Sequence, residues 1–134
     1  MSEHHTALVY TMVLVSAADS NMTDSELKTI GEIVSHLPVF ADYDSERLPK
    51  DAQACAELLS EKNGLEKVLG KIAAGLPEKL RETAYAIALD VAAADGTASQ
   101  EELRLLEMLR HRLAVGRLPA AAIERGARAR YTRL

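Results

Sequence analysis

The sequence predicts an all-α fold, with about seven helices and two repeated helix-turn-helix hairpins packed in one bundle. Three observations carry that expectation. Apolar residues make up 48% of the 134-residue chain while aromatic residues make up only 4%. Alanine and leucine, which lose little side-chain freedom in a helix, supply most of the apolar content, and no stretch alternates in the manner of a strand. Capping residues, prolines and glycines punctuate the periodic segments, and one such segment recurs after a shift of 76 residues.

The first helix is expected from about His5 to Ala18, an apolar run too short to cross a bilayer. The second runs from Asp24 to Leu37. Thr23 and Glu26 form a capping box at its start, and Pro38 ends it by forcing the preceding residue out of helical geometry. Leu27, Ile30, Val34 and Leu37 fall on one face, which is expected to be buried. The third helix spans about Pro49 to Lys62 and closes at Asn63-Gly64. A fourth begins near Leu65, buries Leu65, Val68, Leu69, Ile72 and Leu76, and breaks at Gly75-Leu76-Pro77. The fifth, Glu78 to Ala94, turns almost wholly apolar from Ala84 onward, with Asp90 the one ionisable group in that stretch. Ser99 and Glu102 cap a sixth helix that stops at Gly116, and a short seventh starts near Pro119. The chain therefore reads as one domain, 1–134. Repeat one covers about 5–37, a helical insert about 38–76, repeat two about 77–115 and a basic C-terminal helix about 118–131.

The repeat is specific. Val15, Ala17, Ala18, Asp19, Glu26 and Leu27 recur as Val91, Ala93, Ala94, Asp95, Glu102 and Leu103, and Thr23 is answered by Ser99. An apolar helix, a short turn and an amphipathic helix thus occur twice. One such hairpin has too little to bury its faces against, so two packed together are expected to share a core.

The aspartates need an explanation, because an acid at a helix C-terminus meets the negative end of the dipole at a cost of roughly 0.3 to 1 kcal/mol. One answer is structural: Asp19 and Asp95 accept from loop amides as Asx-turns, and the capping boxes account for Glu26 and Glu102. The other is a divalent cation, calcium or magnesium, held by the hard oxygens of Asp19, Asn21 and Glu26 in one turn and of Asp95 and Glu102 in the other. An EF-hand does not fit, since its twelfth position, a glutamate, would fall here on Ile30 or Leu106.

A helix, an Ala-Ala-Asp-Gly turn and a glutamate seven residues past the aspartate, twice in one helical chain, resemble the tellurite-resistance TerB-like family over essentially the whole length. The resemblance implies an all-helical protein of tellurite resistance and stress response, similar to the N-terminal region of a membrane-anchored DnaJ-type co-chaperone, and the lack of catalytic motifs makes a non-enzymatic role the expectation. It implies Asp19, Glu26, Asp95 and Glu102 as the metal-binding positions. Ser20 departs from the family's usual glycine in the first turn.

Net charge is −4, unevenly spread. Residues 1–103 hold 18 acidic and 8 basic side chains, whereas residues 104–134 hold 8 arginines against 2 acids. The acidic part suits a basic protein partner. The arginine-rich end suits either docking against the chain's own acids or peripheral attachment to an anionic membrane face. Nucleic acid is not expected, because only Tyr131 stands near those arginines as a stacking group. Met1-Ser2-Glu3-His4-His5 has no secretory pattern and Cys55 is the only cysteine, so a cytoplasmic setting is expected. Cys55 reads as a small hydrophobe. His4, His5, His36 and His111 form no metal or catalytic pattern, and no nucleophile or phosphate-loop motif occurs. Asp90 is expected to face inward with Arg104 or Lys79 as its partner, or to join Asp95 in a carboxylate site of an enzyme.

Overall fold

The computed structural model describes residues 3–18, 24–94 and 98–134. Among them run seven α-helices and no strand: α1 Glu3–Ser16, α2 Asp24–His36, α3 Leu48–Leu59, α4 Gly64–Gly75, α5 Arg81–Ala92, α6 Gln100–Arg112 and α7 Arg117–Tyr131. Single 3-10 turns at Pro38–Phe40, Ser45–Arg47 and Glu78–Leu80 lead into or out of them.

The two apolar helices, α1 and α5, pack on each other at the centre. Every residue of α1 from Ala7 to Ser16 is buried, which is why the helix shows no polar face. Its hydroxyls are satisfied within the helix: Thr11 Oγ1 donates to the Ala7 carbonyl at 2.8 Å and Ser16 Oγ to that of Met12 at 3.0 Å. The insert helices α3 and α4 cover α1, and α7 covers α5. Each amphipathic helix touches both central ones, α2 lying on α1 and α5 and α6 on α5 and α1. The hairpins therefore interlock, as the need for a shared core required.

Small residues set the close approaches. A Cβ on Gly75 would stand 3.1 Å from that of Ala7 and 3.2 Å from the Glu3 carbonyl, so glycine lets the end of α4 meet the start of α1. Asn63 takes the left-handed conformation, φ 59°, that reverses the chain between α3 and α4.

Several sequence-based expectations need correction. The C-terminal helix is not short: α7 has 15 residues, because Pro119 lies in its first turn where its missing N–H has no helical partner to lose. Gly116 does not supply the turn after α6. Ala114 does, at φ 56°, with the Val115 amide donating to the Arg110 carbonyl at 3.0 Å. The 3-10 turn at Glu78–Leu80 delays the start of α5 to Arg81. Leu65, in the first turn of α4, is 39% exposed and not buried as expected. No described helix is long and apolar enough to cross a membrane.

Candidate functional site

The buried stripe of α2 consists of Glu26, Ile30 and Val34, spaced four apart, and that of α6 contains Glu102, Leu106 and Leu109. A carboxylate thus heads the apolar face of each helix, and both glutamates are only 2% exposed. Leu27, expected inside, and its counterpart Leu103 stand one residue further round, each 51% exposed. Ile30 and Val34 are buried as expected, so only the first-turn position departs, and it does so alike in both repeats.

Capping chemistry turns the glutamate inward. Ser99 Oγ accepts from the Glu102 amide at 3.1 Å, while Glu102 Oε1 accepts from the Ser99 amide at 2.9 Å. Reaching back along the helix start lays the side chain against the bundle, and the positive end of the helix dipole favours its charge there. The expected Ser99 and Glu102 capping box is therefore formed. Its counterpart rests on Thr23, outside the described residues, as do Asp19, Asn21 and Asp95. Of the four acids expected to hold metal, Glu26 and Glu102 are placed, both buried at a helix start. Carboxylate oxygens are the donors calcium or magnesium takes. Two glutamates do not complete such a site, and among the described residues no group of three or more His, Cys, Asp or Glu side chains converges.

Asp90 does not pair with Arg104 or Lys79. It accepts from Arg130 of α7 at 2.6 Å and is 20% exposed, because α7 crosses α5 at that point. The groove beside the second turn is lined by Leu89, Ala92, Ala93 and Ala98 rather than by Asp90. Cys55 is fully buried, and burial pushes its thiol up to about 12, which fits the small-hydrophobe reading.

One polar cluster escaped the sequence reading. His5, 1% exposed, donates from Nε2 to the Val39 carbonyl at 2.7 Å, with Asp42 Oδ1 at 3.3 Å. Its ring stacks on Phe40 and tilts against Tyr43. Tyr43 in turn donates to Asp51 Oδ2 at 2.7 Å, and Arg47 lies over the tyrosine ring while approaching Asp51 to 3.5 Å. The network ties the insert to α1. Its signal was compositional: Phe40 and Tyr43 are two of only five aromatic residues in the chain.

An all-helical bundle of two interlocked hairpins, each with a buried acid opening its second helix, defines the class. The chain belongs to the TerB family: the family model described as Tellurite resistance protein TerB matches residues 5–124. No curated protein and no solved structure matches it significantly.

Proposed function

We propose that this TerB family member acts without catalysis in tellurite resistance or a related stress response, by binding a divalent cation at its two turns. Asp19 and Glu26 would serve the first and Asp95 and Glu102 the second, with calcium or magnesium as the ion. The supporting observation is the equivalent placement of Glu26 and Glu102, each 2% exposed at the start of the second helix of its hairpin, which sets a carboxylate of the kind calcium or magnesium takes beside each turn. The acid-rich part of the chain, residues 1–103, would also suit a basic protein partner, in a cytoplasmic setting at or near the membrane face.

The test is a titration with calcium and with magnesium, followed by amide chemical shifts. Residues 19–26 and 95–102 are expected to move first, and Glu26→Gln and Glu102→Gln each to silence its own turn. Unmoved amides at millimolar metal overturn the cation reading.

A second reading has its own support, because the Ser99 and Glu102 capping box already engages one carboxylate oxygen. On that reading the domain is a helical adaptor, similar in role to a co-chaperone module, and its turns are structural. Asp95→Ala then lowers stability by about 1 kcal/mol, as for a lost cap, and leaves ion affinity unchanged.

A further inference from the structure

Helices α6 and α7 both pack on α5, and a groove runs between them. Its two sections, of about 570 and 500 Å³, share Leu89, Leu103, Leu106 and Arg128 and so form one trough. The lining has helical spacing on both walls. From α6 come Leu103, Leu106, Glu107 and Arg110, and from α7 come Glu124, Ala127, Arg128 and Tyr131, each set at i, i+3, i+4 and i+7. Tyr85, Leu89 and Ala92 of α5 make the floor. Three helices thus present a concave face of about two turns, and among the described residues no other helix lines it. Leu103, half-exposed, is its apolar anchor point.

Charge says what kind of helix fits. Glu124 is engaged by the Tyr85 hydroxyl, which donates to it at 2.6 Å, and Arg110 donates to the Val115 carbonyl at 3.4 Å. Arg128, where the two sections meet, and Arg133, in the section nearer the second turn, make no ion pair among the described residues and are exposed. Among the described residues no acidic side chain lines that section, whose other walls are alanine, leucine, tyrosine and threonine. An apolar trough with unpaired arginines at its lip matches a helix whose apolar stripe is flanked by aspartate or glutamate.

We propose that the trough between α6 and α7 docks an acidic amphipathic helix of a partner protein, anchored on Leu103 and Leu106 and held by Arg128 and Arg133. The trough borders the second turn and selects a partner of the opposite charge to the cation proposed there.

The test uses the full chain and a fluorescent amphipathic peptide of about 15 residues with leucine at i, i+3, i+4 and i+7 and glutamate elsewhere. A control peptide carries lysine in place of each glutamate. The glutamate peptide is expected to bind, more weakly as salt rises, and to lose about tenfold or more in affinity with Leu103→Glu and again with Arg128→Glu. Leu27→Glu, at an equally exposed leucine away from the trough, is expected to change nothing, and circular dichroism establishes that each variant stays folded. Equal binding of both peptides, or indifference to Leu103→Glu, overturns the proposal. So does self-association broken by Leu103→Glu, which would make the occupant a second copy. Capture by vesicles containing one-third phosphatidylserine, lost on substituting the arginines but kept with Leu103→Glu, would assign these arginines to a membrane instead.

Discussion

Arg130 and Asp90 meet at 2.6 Å across α7 and α5, joining the basic end of the chain to a carboxylate in the apolar helix of the second repeat. The contact decides one matter that charge distribution left open: at least part of the arginine-rich segment is spent on the chain's own acids, as Arg112 is on Glu66.

The pair is half in water, Arg130 being 53% exposed, so its loss should be modest. Arg130→Ala is expected to lower stability by less than about 1 kcal/mol. It should nonetheless raise hydrogen exchange in the last turns of α7, while exchange in α1 stays unchanged. Equal acceleration in both helices would mean that the pair acts on global stability and not on docking of α7.

Tyr85 lies beneath α7, 3% exposed, with its hydroxyl on Glu124. Burial first, and then this hydrogen bond, raises its ionisation above the ordinary tyrosine range. Tyr85→Phe keeps the ring and removes the bond, so urea unfolding is expected to show a loss of about 1 kcal/mol with the slope unchanged.

Two glycines of α4 should respond in opposite directions to alanine. A Cβ on Gly64 would stand 2.3 Å from the Leu59 carbonyl oxygen, a backbone atom that cannot swing aside, and Gly64→Ala should cost about 1 to 3 kcal/mol. Around Gly70 nothing lies within 4 Å, so Gly70→Ala should stabilise by about 0.5 to 1 kcal/mol through helix propensity alone. Thermal melting of both variants checks the pair.

Stability should fall in alkali. The folded protein keeps the proton on Cys55 up to about 12, whereas the unfolded chain releases it near 9.0. Between those values the native state binds more protons, so stability is whole below about pH 9 and declines as pH rises toward 12. The buried Tyr43 and Tyr85 hydroxyls add to the same trend at its upper end. Cys55→Ala should flatten the first part of this decline even though it lowers stability at neutral pH. An identical pH slope in the variant would remove Cys55 as its source.

The helices, the repeat and the second capping box could be read directly because each depends on neighbours in sequence. Ser99 and Glu102 are three residues apart, and their bonds form wherever a helix starts there. The register of burial was harder. Leu27 and Glu26 are adjacent, and both join Ile30 and Val34 in a plausible helical face; a hydrophobicity rule puts the leucine inside because it cannot count the hydrogen bonds and dipole that admit the carboxylate. Tertiary crossings also settled the rest. Asp90 found Arg130 forty residues away, and His5 found Val39 and Phe40, since helices from distant parts of the chain lie side by side. Ala114 in a left-handed turn went unread because glycine two residues later is the better statistical candidate.

The placement of α1 has a consequence for biosynthesis. This segment leaves the ribosome ahead of α3, α4 and α5, the helices that enclose it. The 76 residues from Ser16 to Ala92 take about 4 to 15 s to translate, during which its oily circumference has no permanent shelter. Nascent chains are thus most open to misassociation before the second hairpin is complete, and a cell producing this protein quickly would draw on its chaperones in that interval.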